Sequence, residues 1–292
     1  MPAPILDPVA DWYGAAHRDL PWRADDYPAW GILISEFMLQ QTPVARVIPR
    51  LHEWLTRWPT PADLASVPPG EAVRAWDRLG YPRRALNLHA AATAIAAEHG
   101  NVVPHDVEAL LALPGVGPYT ARAVAAFAYG VRTPVVDINA RRVLARAVDG
   151  VGEAGPAQTR RELAAMEAQL PHDVARARLV NAGTMELGQT VCTVRAPRCD
   201  VCPLAERCAW RAAGYPAYDG KTAPKQKRYE GSDRQVRGLI LRELRASDTA
   251  VPAATVAATW PDAAQLERAL TGLLRDGLVD GNATRGYELP SA

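Results

Sequence analysis

The chain holds four cysteines in 292 residues, Cys192, Cys199, Cys202 and Cys208, spaced C-x6-C-x2-C-x5-C. Thiols bunched this closely are metal ligands before they are disulfides in an intracellular chain. Four thiolates suit a tetrahedral zinc site and a [4Fe–4S] cluster equally, so the residue types leave both open. Arg195, Arg198 and Arg207 lie among them, a charge that suits a loop lying against phosphate. A second candidate is Glu36, which interrupts the apolar series Trp30, Ile32, Leu33, Phe37, Met38 and Leu39. Desolvation there would raise its pKa, and a carboxyl that keeps its proton near neutral pH is what a general acid requires. The plainer alternative is a glutamate on an exposed stripe. A third is Asp137, a lone acid in apolar and basic surroundings just after Thr133-Pro134. It stands where a helix over 140–147 needs an N-cap, where backbone N–H donors would keep it ionised, and Asn139 is near enough to orient it or a water.

Helices must position these groups. Asp106 caps a helix with Val107, Leu110, Leu111 and Leu113 on one face, Pro114 stops it, and Pro118 opens the next. The link Pro114-Gly115-Val116-Gly117 combines glycines that permit positive φ with uncovered N–H groups at a helix start, a place for a phosphate oxygen. The pattern predicts a helix-hairpin-helix holding one DNA strand by its backbone; a plain αα-turn is the alternative. Upstream, a helix is expected over 28–46, with Gln40, Gln41 and Thr42 offering polar groups near its end, then 61–67, 71–79 and 83–99. Between the last two, Leu79-Gly80-Tyr81 forms a turn that can project a flat ring between stacked bases. At the start, a short helical pattern (Val9, Trp12, Tyr13) is ended by Pro21, leaving Trp22 and Arg23 in a loop.

Residues 156–186 are helical in pattern, and 211–230, rich in Gly, Pro and Lys, read as a linker. Three helices (234–244, 253–259, 263–276) and two extended pieces (278–280, 286–289) around Gly281-Asn282 have the layout of a winged helix. The formal net charge is +1 and 48% of residues are hydrophobic, ample for a core. Basic residues gather locally at Arg211, Lys221, Lys225, Lys227, Arg228, Arg234, Arg237, Arg242 and Arg245. No stretch approaches the ~18 apolar residues of a membrane span, and the first residues lack a basic-then-apolar leader. A soluble, cytoplasmic, nucleoid-associated, mainly α protein is expected.

The strings L-P-G-V-G-P-Y-T-A and V-V-D-I-N-A-R-R-V-L-A-R, with the cysteine spacing, resemble the base-excision DNA glycosylases of the endonuclease III superfamily (helix-hairpin-helix-GPD). I-S-E-F-M-L-Q-Q-T-P-V and L-P-W-R are similar to its MutY-like adenine glycosylase branch, and the likeness covers residues 18–208. The resemblance implies a two-lobed fold, with an iron–sulfur lobe from 1–25 and 135–210 and a helical barrel lobe from 26–134. Composition and element order, not the resemblance, add a linker at 211–230 and a winged-helix-like module at 231–292. The resemblance also implies a [4Fe–4S] cluster on the four cysteines, Glu36 as proton donor, and Asp137 as the acid that stabilises the sugar cation, with Tyr119 and Asn139 ordering the site. Lysine stands at the Tyr119 position in strand-nicking relatives, so the activity implied is monofunctional. Arg18, Trp22, Arg23 and Glu186 would line the pocket for an extruded adenine. Leu39, Gln41, Thr42, Leu79, Tyr81, Gly115 and Gly117 would touch the DNA. The implied partner is double-stranded DNA with adenine opposite 8-oxoguanine or guanine, bound by a monomer without a membrane. The last 80 or so residues do not resemble the nudix-like domain that larger members use to recognise 8-oxoguanine, which leaves the opposite base open. Two alternatives also stay open: a thymine or uracil mismatch glycosylase of the superfamily, and a noncatalytic iron–sulfur DNA-binding regulator.

Overall fold

A computed structural model describes residues 4–221 and 228–291. Lys225 and Lys227 of the basic run, and the middle of the expected linker, lie outside the described residues. In chain order the helices are α1 (Pro8–Ala16), a 3-10 turn at Pro21–Arg23, α2 (Ala29–Leu39), α3 (Val44–Arg57), α4 (Pro61–Ala65), α5 (Pro69–Trp76), α6 (Arg83–Glu98), α7 (Val107–Ala112), α8 (Pro118–Tyr129), α9 (Ile138–Ala147), α10 (Thr159–Glu167), α11 (Val174–Thr190), a 3-10 turn at Cys199–Val201, α12 (Ala209–Ala212), α13 (Asp233–Arg245), α14 (Ala253–Ala257) and α15 (Ala263–Arg275). Strands β1 (Asp280–Asn282) and β2 (Gly286–Glu288) pair antiparallel, with Gly281 opposite Tyr287. No described helix is long and apolar enough to cross a membrane.

Two expected helices are broken. The 28–46 segment divides at Gln41, whose φ is 56°, and Pro43 disfavours a helical Thr42 before it. The 156–186 segment divides around Pro171, and Asp173 restarts it by accepting from Arg176 N at 2.7 Å.

The chain forms two compact units, one from residues 4–29, 105–110 and 117–221, the other from 30–104, 111–116 and 228–291. In the first, Leu6 and Val9 pack with Val143 and Leu144 of α9 and Val180 and Leu187 of α11. Helix α8 belongs to this unit, whereas the expected lobe boundary placed it with 26–134.

In the second unit α2 is buried at nearly every position, which an all-round apolar helix demands. Trp54 meets Trp58 and Trp76 edge-on, at centroid distances of 4.9 and 5.6 Å. The C-terminal helices and hairpin stand in the expected order and are docked in this same unit. Gly70 N donates to Pro290 O at 2.8 Å, Arg245 Nε to Val73 O at 3.0 Å, and Arg74 to the carbonyls of Arg245 and Ser247. Arg237 bonds Asp276 at 2.6 Å, and Arg242, more than half exposed, bonds the adjacent Glu243 at 3.0 Å. Burial pulls the Arg245 guanidinium down to about 10.

A Cβ on Gly70 would lie 2.5 Å from Pro290 O and 2.9 Å from Leu289 Cβ, and the backbone oxygen cannot swing aside as a side chain would. Gly70→Val should therefore undock the C-terminal module at a cost of about 1–3 kcal/mol. Limited proteolysis checks this: residues 233–289 should be cut faster in the variant while the remainder resists.

Candidate active site

Asp137 ends an extended segment held by Asn181, which accepts from Val135 N at 2.9 Å and donates to Thr133 O at 3.0 Å. The carboxylate caps α9 by accepting from Ala140 N at 2.6 Å, while Asn139 Nδ2 donates to its other oxygen at 2.8 Å. Burial nevertheless raises the Asp137 pKa, outweighing those donors and the Arg142 charge. Arg142 continues the array, donating to Asn139 Oδ1 at 2.9 Å, Gly188 O at 2.6 Å and Cys192 O at 2.7 Å. Tyr119 packs beside Ala123, Ala126 and Val135 in this unit.

Glu186 is 1% exposed and meets both arginines of the N-terminal segment. Arg18 donates through Nε and Nη2 at 2.7 and 2.8 Å, and Arg23 through Nη2 at 2.6 Å. Burial alone would push the carboxyl up; the two guanidinium groups outweigh it and hold it at about 2. Arg23 also lies over the Tyr13 ring, 5.2 Å from its centroid, and Trp22 is partly buried in the 3-10 turn. Arg18, Arg23 and Glu186 therefore form one ionic group.

Glu36 is 6% exposed within α2, as the apolar run around it implied, so the exposed-stripe alternative fails. The turn after α2 leaves Gln41 exposed. Thr42 is buried, its hydroxyl directed at Leu79 O at 3.2 Å and accepting from Arg84 at 3.1 Å. Leu79, expected at the DNA surface, is 5% exposed and contributes its carbonyl to this network, and Leu39 is half-buried. Tyr81 is 43% exposed with φ 47°. Arg84 was missed from the sequence although a signal existed: it lies in phase with Leu88, Ala91, Ala92 and Ile95 on the buried face of α6. In the hairpin, Gly115 takes φ 74° and a Cβ there would meet Asn87 at 2.5 Å. Gly117 is extended with open space where a Cβ would point, so only Gly115 needs glycine for its conformation.

The four cysteines line one small open cavity together with Arg146, Pro197, Arg198 and Trp210. No three His, Cys, Asp or Glu among the described residues stand close enough to enclose a single ion. Arg146 donates to Cys192 Sγ at 3.4 Å and lies 4.6 Å from the Trp210 ring centroid. Burial and the neighbouring thiols push Cys202 up to about 11. Four soft donors that oppose one another's ionisation, in a partly buried cavity with a guanidinium beside one sulfur, fit a cationic group bound by thiolates.

The model for HhH-GPD superfamily base excision DNA repair proteins matches residues 34–167, which include Glu36, Tyr119 and Asp137. The adenine DNA glycosylase of Mycolicibacterium smegmatis is 54% identical over 282 residues, covering 96% of this chain and 94% of that protein. The chain belongs to the adenine DNA glycosylases of this superfamily. The Mycobacterium tuberculosis adenine DNA glycosylase is 52% identical over 96% of the chain and 91% of its own length. The thymine/uracil-DNA glycosylase of Pyrobaculum aerophilum is more distant, at 34% identity over 68% of the chain and 87% of that protein. Among solved structures, a thermostable thymine-DNA glycosylase superposes with a TM-score of 0.65 at 27% identity, over 71% of this chain and 95% of that one. A trapped endonuclease III–DNA covalent intermediate, at 23% identity over 73% of this chain and 96% of that one, has a TM-score of 0.62 and shows the shared fold.

For this glycosylase, removing the Glu186 charge leaves two arginines facing a neutral amide. Glu186→Gln should cost about 3 kcal/mol at pH 7, less whatever Arg18 recovers by turning to solvent. Because the folded carboxyl is held at about 2, below its ordinary 4.5, the contribution is complete above pH 4.5 and lost as pH falls through about 2. Chemical denaturation of both proteins between pH 7 and pH 2 should show the gap closing.

Proposed function

We propose that this adenine glycosylase excises adenine placed opposite 8-oxoguanine or guanine in duplex DNA, acting as a cytoplasmic monomer and leaving the strand intact. The observation carrying the proposal is the pairing of chemistries: a buried glutamate, Glu36, in an apolar helix, and a carboxylate, Asp137, held by a helix start and an amide.

An adenine within the stack is out of reach, so it has to be turned out of the duplex. Tyr81 wedges into the gap and Gln41 faces the base left behind. The hairpin around Gly115 and Gly117 holds the backbone through N–H groups. The extruded base lies near Trp22 and the Arg18–Glu186–Arg23 group. Glu36 delivers a proton to N7, making adenine a neutral leaving group, and the sugar gains oxocarbenium character. Asp137 stabilises that charge, as the second carboxylate of a glycosidase does, and water completes the hydrolysis. Its raised pKa fits this role, because a desolvated carboxylate is stabilised when a cation forms beside it. A phenol at Tyr119 forms no imine with the sugar, so strand cleavage is not expected.

Cys192, Cys199, Cys202 and Cys208 would hold a [4Fe–4S] cluster, which when bound supplies the positive charge their thiolates need and fixes the basic loop around them. Purified protein should be brown, and Cys199→Ser should lose colour, iron and DNA affinity together. Zinc without iron in protein made under iron-replete anaerobic conditions would contradict this.

Single-turnover assays test the acids. Glu36→Gln and Asp137→Asn should each slow adenine release by about 10²-fold or more while binding to the mispaired duplex survives. Asparagine also caps a helix well, so Asp137→Asn should melt no earlier than wild type. Near wild-type release by either variant would make that residue structural.

A further inference from the structure

We propose that Arg84 is a positioning residue that locks the turn facing the opposite base to the wedge turn, so that both act as one part during base extrusion; the inference rests on the function proposed above. Arg84 is 7% exposed. Its Nη1 donates to Phe37 O at 2.7 Å, Met38 O at 3.0 Å and Gln40 O at 2.7 Å. Its Nη2 donates to Thr42 Oγ1 at 3.1 Å, Leu79 O at 3.3 Å and Gly80 O at 2.9 Å, and Nε reaches Tyr81 O at 3.4 Å. The guanidinium lies 5.0 Å from the Trp76 ring centroid and 5.7 Å from that of Tyr81.

None of these acceptors is a carboxylate. A buried guanidinium serving neutral acceptors is expensive, and burial pulls its pKa down to about 10, where it remains charged at neutral pH. What it gains is geometry, since a planar fork reaches three pieces of chain at once. The first is the C-terminal end of α2, where a cation is favoured. The second is the turn at Gln40–Thr42 and the third the turn at Leu79–Tyr81. Each turn contains a non-glycine residue in the left-handed region, Gln41 at φ 56° and Tyr81 at φ 47°. Such conformations persist where the surroundings over-determine them, and Arg84 is the group common to both. Any displacement of the Tyr81 turn by an entering duplex is therefore carried to Gln41 through Arg84, beside the direct bond of the Thr42 hydroxyl to Leu79 O at 3.2 Å.

Lysine in its place keeps the charge and cannot span the two turns. The test measures single-turnover adenine release by Arg84→Lys on an A:G duplex and on the same duplex with adenine opposite an abasic gap, where little extrusion is needed. Loss of charged hydrogen bonds to the turns should slow release about 10- to 100-fold on A:G. The gapped substrate should lose less than about threefold, since no pair has to be opened. Equal loss on both substrates overturns the proposal, because a structural defect lowers the active fraction without regard to pairing. Trp76→Phe is a milder variant: it removes the indole donor to Gly80 O (2.9 Å) and keeps a ring beneath Arg84. It should show the same substrate-selective loss at smaller amplitude, and decides the matter if the lysine variant does not fold. If wild-type enzyme releases adenine from neither substrate, the function reading itself fails and this inference with it.

Discussion

A carboxylate taken out of water must keep enough donors to survive and few enough to stay reactive, and the first unit is arranged around that requirement at Asp137. The extended chain before it is pinned by Asn181, and the helix after it begins on its own oxygen. Burial still prevails, so Asp137 titrates higher than an exposed aspartate. Glu186, a buried acid of the same unit, goes the opposite way because two guanidinium groups meet it. The two acids are thus pushed in opposite directions, Glu186 by its paired guanidinium groups and Asp137 by burial.

Helix α9 joins that acid to the cysteine loop by ordinary packing. Asp137 stands at its start, Arg142 reaches Asn139 and Cys192 O, and Arg146, one turn further, touches Cys192 Sγ. The second unit solves a matching problem with a cation. Arg84 takes seven neutral oxygens in place of an acid, and the turns bearing Gln41 and Tyr81 hold their left-handed backbone around it. The C-terminal module shares this unit, with Asp276 within 3.7 Å of Arg83, the neighbour of Arg84. Arg237 meets Asp276 of that module at 2.6 Å, while the more exposed Arg242 pairs with the adjacent Glu243.

Local chemistry was legible in the sequence and cross-chain geometry was not. The helical class, the hairpin at Gly115, the cap at Asp137 and the burial of Glu36 follow from spacing and from capping residues, signals that lie within a few positions of one another. The split at Gln41 was missed because helical periodicity runs through it; the turn is imposed by Pro43 and by the guanidinium of Arg84, which is remote in sequence. The ion pairs of Glu186 with Arg18 and Arg23 depend on packing of distant stretches of chain, and only the resemblance had put these residues at one pocket. Arg84 offered a readable clue, a cation in the apolar phase of α6, but nothing local indicated which oxygens it would serve. The docking of the last helices rests on backbone carbonyls such as Pro290 O, which no side-chain pattern announces.

The central claim is that adenine departs after proton delivery to N7 by Glu36. A duplex carrying 7-deazaadenine opposite guanine has a carbon at that position and keeps the Watson–Crick edge. Measured under single-turnover conditions beside the A:G duplex, it should bind with similar affinity and release no base. Excision of 7-deazaadenine at a rate near that of adenine would contradict the account.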